Sequence, residues 1–287
     1  SRIDNVKWEG ELQYEYTRKK DDGAPDADTS NTLKFRLEPT ATVNDHWKVK
    51  ARLDADWLLK EDNGDDGKVT LKRAYAAGHY GITDINAGVI PYKSEQSVVF
   101  DSELSGASVT VGKDQTLSGT LLAGRSRKID VVSNVQGVNL NWKPTDEFKG
   151  VAEYYRASVN GDYNNIWGIG ATYNFAKTAA LNAGYWKNTT KDDSDTNRAW
   201  NVQLSYRGAE PENMHSFGFY AAYRRLGSMV AFKPNFDATE SGEKGWEVGG
   251  DYTFAKNVVG TLKYFNGRRL SDDVKAHTYY GSLEYFF

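Results

Sequence analysis

The chain has 287 residues, no cysteine and a formal net charge of −3. Disulfide bonds and cysteine-ligated metal sites are therefore excluded. The absence of any apolar run of about 18 residues excludes a transmembrane helix. The near-neutral charge gives no reason to expect a nucleic-acid partner, which would require a basic stripe. The unusual feature is the aromatic content, with 18 Tyr, 12 Phe and 8 Trp.

Apolar and polar residues alternate one by one along most of the chain. In the first segment, Val6 and Trp8 alternate with Lys7, Glu9 and Glu11. Strict two-residue alternation is typical of strands with two different faces, whereas a helix would place these charges all around its axis. The pattern predicts about sixteen strands, at 6–17, 31–43, 47–58, 68–81, 83–91, 107–112, 115–126, 135–143, 147–157, 164–175, 178–188, 197–207, 214–225, 245–255, 258–268 and 275–287.

The lengths of strands and connections point to a membrane barrel. Most predicted strands have about 9–13 residues, which suits a tilted membrane-spanning strand. Tight turns, as at 82–83 and 256–257, alternate with long polar stretches, as at 19–28, 60–67 and 231–244. In an antiparallel meander this alternation places the short turns at one end and the long loops at the other. Outer-membrane barrels have this pattern, with short periplasmic turns and long external loops.

The positions of the aromatic residues indicate which face meets lipid. In the strand at 245–255 the apolar row runs from Trp246 through Val248 and Gly250 to Tyr252 and Phe254. Two aromatic ends about 20 Å apart around a small-residue middle suit a bilayer with its two interfaces. The alternative, a soluble sandwich or barrel with its apolar face packed inward, would place the largest rings centrally.

The opposite face is too polar for a packed core, because its charges would be desolvated at a cost of several kcal/mol each. About sixteen strands can instead enclose a water-filled lumen. The sequence therefore predicts an all-β protein: a transmembrane antiparallel β-barrel of about sixteen strands in which residues 1–287 form a single domain.

Two segments resemble bacterial outer-membrane porins. Residues 279–287 form an alternating last strand that ends in Phe287, and residues 88–110 are similar to a porin's fifth strand, third external loop and sixth strand. The resemblance implies passive diffusion of ions and small hydrophilic solutes, an outer-membrane location, contact with membrane lipid and lipopolysaccharide, and a homotrimer. It also implies that Leu283, Tyr285 and Phe287 form the signal recognised by the barrel assembly machinery.

A narrower resemblance concerns the step Lys72-Arg73-Ala74-Tyr75 together with the third loop. Both are similar to the porins of diderm Firmicutes, whose S-layer-homology and coiled-coil segments tether the membrane to peptidoglycan. No such segment lies within these 287 residues. A peptidoglycan tether is therefore expected only through a segment outside them.

In porins of this type the third external loop folds into the lumen and narrows it. The resemblance places this loop at about 92–106 and implies a pore constriction between acidic loop residues and basic wall residues. Whether the Arg73 side chain points into the lumen or toward the lipid stays open, because the alternation of apolar and polar residues changes phase within the fourth strand. The alternative is that these are hydrated wall charges paired with neighbouring acids. The candidates are Glu95, Asp101 and Glu103 on the loop, and Lys34, Arg36, Lys50, Arg52 and Arg73 on the wall.

Other functions have weaker support. A barrel hydrolase would need a Ser-His or Asp-His pair at the outer rim, and none of the four histidines has a recognisable partner there. We therefore expect no catalysis and no cofactor. Asp62, Asp65 and Asp66 could hold calcium weakly, but their spacing matches no known calcium loop and a solvated loop is favoured; no other metal site is expected.

A substrate-specific channel or receptor is a further alternative to general diffusion. It would need an aromatic track inside the lumen. The candidates lie on scattered strands, so general diffusion is favoured. They are Tyr75, Tyr155, Trp186, Tyr220, Phe265 and Tyr280.

Overall fold

A computed structural model describes residues 2–287. After a short 3₁₀ helix at Arg2–Asn5, the chain forms sixteen strands, and a second 3₁₀ turn lies at Glu95–Ser97. Among the described residues no helix is long and apolar enough to cross a membrane. The strands are β1 Val6–Asp21, β2 Asp28–Thr42, β3 Trp47–Leu58, β4 Thr70–Tyr80, β5 Thr83–Lys93, β6 Asp101–Val111, β7 Leu117–Arg127, β8 Val132–Trp142, β9 Phe148–Val159, β10 Asp162–Ala176, β11 Ala179–Asn188, β12 Arg198–Arg207, β13 Phe217–Leu226, β14 Glu243–Ala255, β15 Val258–Arg269 and β16 Lys275–Phe286.

The strands close into one antiparallel barrel in which β1 pairs with β16. The seam is completed by Gly10 and Phe287, whose backbone groups bond reciprocally at 2.8 and 2.9 Å. Leu283 pairs with Tyr14 at this seam, and Tyr285 with Leu12. The predicted sixteen-stranded barrel is confirmed, and the expected assembly-signal residues lie along its closing strand.

The sixth strand is longer than predicted. It starts at Asp101, because Asp101 and Glu103 pair with Lys93 and Pro91 of β5. The third loop therefore spans only 94–100 (hereafter loop 3), and the expected boundaries of 92–106 were wrong. The sequence does not show the apolar–polar alternation at this end of the strand, because Ser102 and Glu103, on opposite faces, are both polar and both buried.

Short and long connections alternate, with three exceptions. The external connection at 128–131 has four residues, fewer than the five of its neighbours at the other end, 112–116 and 143–147. The turn at 160–161 is tight although it lies at the end predicted to be external, and the connection at 208–216 is long although it lies at the other end. The longest connection, 227–242 (hereafter loop 7), is at the external end.

The outward face is apolar and exposed, as Leu121, Ile169 and Leu262 illustrate. The largest cluster of buried apolar residues lies inside the barrel. Its members come from β5 to β13, the connection 128–131, loop 3 and loop 7. This interior core explains why an otherwise polar lumen is narrowed on one side.

A bulge in β4 settles the direction of Arg73. Arg52 of β3 pairs with Arg73, but the next residue, Leu53, pairs with Leu71, so Lys72 is an extra residue in the ladder. Lys72 Nζ lies 3.8 Å from an Asp54 carboxylate oxygen, and Arg73 Nε lies 3.0 Å from Glu103. Both basic side chains therefore reach acidic partners on the inner side of the wall.

The bulge predicts an unusual labelling pattern, which the cysteine-free chain makes easy to test. Single replacements Lys72→Cys and Arg73→Cys should both react with a charged, membrane-impermeant thiol reagent in proteoliposomes. Leu71→Cys and Ala74→Cys, which face outward, should remain protected by lipid. A strict alternation, with only one of Lys72→Cys and Arg73→Cys reacting, would contradict the bulge.

Candidate pore constriction

Loop 3 leaves the wall after Lys93 and crosses to the opposite side of the interior. The Glu95 backbone N–H donates to Glu153 of β9 at 3.2 Å, and the Gln96 side-chain amide donates to the Ala183 carbonyl of β11 at 2.9 Å. Asn201 of β12 donates back to the Gln96 oxygen at 2.9 Å. Three strands on the far wall therefore hold the tip of the loop.

Apolar residues in the second half of loop 3 explain why it folds inward. Val98, Val99 and Phe100 are almost completely buried. The Phe100 ring lies 5.6 Å from that of Tyr155 and 5.4 Å from that of Tyr92, measured between centroids. Burying each such side chain is worth about 1.5–3 kcal/mol, so an exposed loop would lose several kcal/mol.

A buried carboxylate joins loop 3 to the wall. Glu153 accepts from Trp186 Nε1 at 2.7 Å, from the Tyr155 hydroxyl at 2.5 Å and from the Glu95 N–H. The Trp186 indole lies flat over two glycines of β10 and β11. A Cβ on Gly168 or Gly184 would come within 2.1 or 2.2 Å of this ring. The two glycines thus make room for the tryptophan that orients Glu153.

Loop 7 also folds into the barrel and pairs with loop 3. Lys233 exchanges backbone hydrogen bonds with Val99 and Asp101, at 3.0 and 2.8 Å. The Asn235 N–H donates to the Ser97 carbonyl at 3.2 Å, and the Phe232 ring stacks on Phe100 at 5.7 Å. The sequence interpretation, a polar external stretch over 231–244, missed this. The one available signal was the apolar run 229–232 inside the loop.

The base of loop 7 is anchored by a buried ion pair. Arg224 Nη2 lies 2.8 Å from Glu247, and both side chains are at most 2% exposed. Glu247 also accepts from the backbone N–H and hydroxyl of Thr239, at 3.1 and 2.8 Å. Phe236 covers the Arg224 guanidinium at 4.0 Å. Removing one member of such a pair costs about 3–5 kcal/mol, so this contact fixes the loop firmly.

Three of the four predicted basic residues of β2 and β3 pair with acidic neighbours. Arg36 lies 3.1 Å from Glu11, and Arg52 makes a two-pronged contact with Asp54 at 2.9 Å for both bonds. Lys34 lies 2.5 Å from Glu15. Lys50, opposite Thr40 and Tyr75, has no ion pair among the described residues. The wall is therefore a band of alternating charges.

The three predicted acidic residues separate. Glu103, 3% exposed, joins the basic cluster through Arg73. Glu95 instead pairs with Lys149 of β9 at 3.5 Å, and Asp101 accepts from Asn235 of loop 7 at 2.8 Å. The three residues therefore do not form one acidic loop that faces the basic wall.

A chamber of about 640 Å³ lies between loop 3 and strands β6 to β12, and Lys93, Glu95 and Lys149 line part of it. Its wall carries uncharged polar side chains, which can exchange hydrogen bonds with a neutral solute. They are Ser108, Thr120, Asn139, Asn141, Thr172, Asn182, Asn201 and Gln203.

Other predicted sites are not assembled. Among the described residues no three His, Asp or Glu side chains are grouped so that they could hold a metal ion. Asp66 accepts from the N–H groups of Leu58 and Asn63, and Asp65 lies 3.9 Å from Lys68. The candidate aromatic track is largely buried: Tyr155, Trp186 and Phe265 are at most 1% exposed.

The two glycines beneath the Trp186 ring yield a prediction about loop 3. Gly184→Val should displace Trp186, weaken the Glu153 contact that holds Glu95 and cost about 1–3 kcal/mol. Single-channel recordings should show a larger and noisier conductance. Gly281→Ala, where a Cβ meets only ordinary contacts, should leave the recordings unchanged. Identical recordings from both variants would contradict the anchoring role of Trp186.

The pairing of the two loops predicts a specific cross-link. In the double variant Asp101→Cys/Asn235→Cys, a short bifunctional thiol reagent should join loops 3 and 7 with little change in conductance, because they are already in contact. The pair Asp101→Cys/Asp272→Cys, with its second cysteine in the connection 270–274, serves as the control and should not link. Failure of the first pair to link in membranes would show that the loops separate there.

Comparison with known proteins gives a consistent result. The family described as Gram-negative porin matches residues 2–287. Solved structures of engineered variants of the Rhodopseudomonas blastica porin have TM-scores of 0.65 and 0.66, at 16% identity, covering 98% of this chain and 100% of theirs. One of these variants replaces two acidic residues by alanine, and the other introduces two tryptophans. No curated protein matches the chain.

Proposed function

The chain belongs to the Gram-negative porin family and is an outer-membrane channel for passive diffusion; we propose that its conducting path runs between the paired loops 3 and 7 and the charged wall of β1 to β4. The supporting observation is that loops 3 and 7 pack over the opposite wall. The Lys34 side chain keeps 42% of its exposure and that of Arg36 keeps 30%. Hydrated charges on one side of a narrowed lumen can set ion preference.

We propose that the selective residues of this path are the wall cations Lys34, Arg36, Lys50, Arg52 and Arg73. Their charge is offset by Glu11, Glu15 and Asp54 on neighbouring strands and by Glu103. In this arrangement selectivity depends on small imbalances between paired charges. Glu95 and Asp101 would act mainly by holding the loops.

The role of Glu103 can be measured directly. Glu103→Gln should leave Arg73 and Lys72 without their shared carboxylate and make the local potential more positive. The reversal potential in a planar bilayer under a salt gradient should therefore shift toward anions. Glu61→Gln, which removes the same charge from the exposed connection 59–69, is the control. An unchanged reversal potential for Glu103→Gln would remove this residue from the selective set.

The amide-lined chamber favours a second candidate, a preference for uncharged hydrogen-bonding solutes such as sugars. Liposome swelling against sugars of graded size separates this candidate from simple sieving. Under general diffusion the rate falls smoothly with size, whereas a chamber preference would make some sugars faster than smaller ones.

We further propose a homotrimer, membership of the S-layer-homology porins of diderm Firmicutes, recognition by the barrel assembly machinery through Leu283, Tyr285 and Phe287, and the absence of any catalytic step. The location of the histidines supports the last point. The Asp-His pair of His79 and Asp84 lies at the β4–β5 turn, and His46 and His215 lie in the connections 43–46 and 208–216, all at the periplasmic end and not at the outer rim. Light scattering in detergent measures the oligomeric state and so tests the trimer. The gene sequence upstream of the barrel shows whether an S-layer-homology segment is encoded there.

A further inference from the structure

Four strands in the wall of the chamber place one row of polar side chains beneath loop 3. Lys149 of β9 pairs with Thr172 of β10, and Thr172 pairs in turn with Asn182 of β11. Asn182 pairs with Gln203 of β12. All four residues line the chamber and are half-buried. Because neighbouring strands lie about 4.8 Å apart, the row is roughly 14 Å long, with an ammonium group at one end and uncharged polar groups along the rest.

The uncharged side chains of this row are oriented by contacts within the wall. The Thr172 hydroxyl donates to the Asn182 oxygen at 2.7 Å, and Arg224 Nη2 donates to the Gln203 oxygen at 2.9 Å. The Gln203 amide donates to the Ser205 hydroxyl at 3.0 Å. Among the described residues the Asn182 NH₂ group has no hydrogen-bond partner. It is therefore free to donate to a solute that enters the chamber.

Loop 3 forms the roof over the row. Gly170 lies on the inward face two residues before Thr172, and a Cβ there would come within 3.0 Å of Glu95 Cγ. From this position the Glu95 carboxylate reaches Lys149 at 3.5 Å, and the Lys149 side chain keeps 39% of its exposure. The two charges therefore form a loose, partly hydrated pair, which is worth little and which a second anion can enter.

The net charge of the chamber favours a solute with one negative charge. Of the described residues that line the chamber, two lysines and one glutamate are charged, so their sum is one positive charge: Lys93, Lys149 and Glu95. Among the described residues Lys93 has no ion pair. A neutral or zwitterionic solute would leave this positive charge unbalanced, and a cation would add to it. A monoanion balances it.

We infer that the chamber binds hydroxylated monocarboxylates, the chemical class of the sugar acids. The carboxylate contacts Lys149, and the hydroxyl groups exchange hydrogen bonds with the three uncharged residues that follow in the row. An apolar carboxylate would leave those polar groups unpaired, which costs binding energy. The volume of about 640 Å³ is within the usual range of small-molecule sites. This inference rests on the proposed preference for hydrogen-bonding solutes and adds a charged group to the solute.

The test compares three solutes that share one carbon skeleton. Gluconate is an anion, sorbitol has a hydroxyl group in place of the carboxylate, and glucosaminate is a zwitterion. Saturation-transfer NMR titrations of the protein in a neutral detergent give a dissociation constant for each solute without relying on conduction. Gluconate should bind about tenfold more tightly than sorbitol, which corresponds to one hydrogen bond to a charged group. Glucosaminate should bind more weakly than gluconate, because its ammonium group is repelled by the net positive charge of the chamber.

Two variants of the charged pair should act in opposite directions. Lys149→Gln should weaken gluconate binding about tenfold and leave sorbitol binding unchanged, because it removes only the cation. Glu95→Gln should tighten gluconate binding about threefold, because it removes the carboxylate that competes for Lys149 and keeps the N–H that holds loop 3. The control Lys177→Gln removes a positive charge from an exposed periplasmic turn and should bind both solutes like the unmodified protein. Circular dichroism shows whether each variant is folded.

Equal dissociation constants of gluconate and sorbitol for the unmodified protein would overturn the inference and leave the preference for uncharged solutes intact. No measurable binding of either solute would overturn both. Tighter binding of glucosaminate than of gluconate would indicate a zwitterion site and overturn the solute class. An unchanged gluconate affinity in Lys149→Gln, or a weaker one in Glu95→Gln, would show that the carboxylate does not bind at this pair and would equally overturn the inference.

Discussion

The structure depends on one constraint: no backbone amide can remain unpaired in a hydrocarbon layer. The sixteen-stranded ladder meets it by closing β1 on β16, and Gly10 and Phe287 complete the seam with reciprocal bonds. Closure then dictates the side chains, because each strand must present one face to lipid and the other to the interior. The one-by-one alternation of apolar and charged residues follows from this geometry, and so does an average composition that resembles a soluble protein.

Closure also creates a polar interior, in which a loop folds inward only if its contacts there stabilise it. Loops 3 and 7 stay because they bring Val99, Phe100 and Phe232 into a common apolar cluster with the wall. Each loop is further held by a buried carboxylate, Glu153 for loop 3 and Glu247 for loop 7. A carboxylate surrounded by donors has one preferred arrangement of its neighbours, so both loops are held in definite positions.

The fold could be predicted from the sequence because a period of two is a local property repeated along the chain. The site could be predicted only in part. Lys34, Arg36 and Arg52 follow the alternation, and each pairs with an acidic residue of β1 or β3. Arg73 does not, because a single inserted residue, Lys72, changes the phase and only the pairing with β3 reveals where. Glu95 pairs with β9 and Asp101 with loop 7. Both partners are distant in sequence, so no local pattern predicts these contacts.

Arginine illustrates how position in the ladder decides what a residue does. Arg52 faces inward among carboxylates and contributes to the charged wall, whereas Arg224, also inward, lies beneath Phe236 and fixes a loop. Arg156 faces outward at the external interface, where water and lipid headgroups meet and a charge costs little. The same side chain therefore occurs in three environments: the charged inner wall, the base of loop 7 and the lipid-facing surface. A shift of one residue in strand register would move each of these arginines to the opposite face of the wall. The environment of an arginine therefore depends on the strand pairing and cannot be read from the composition.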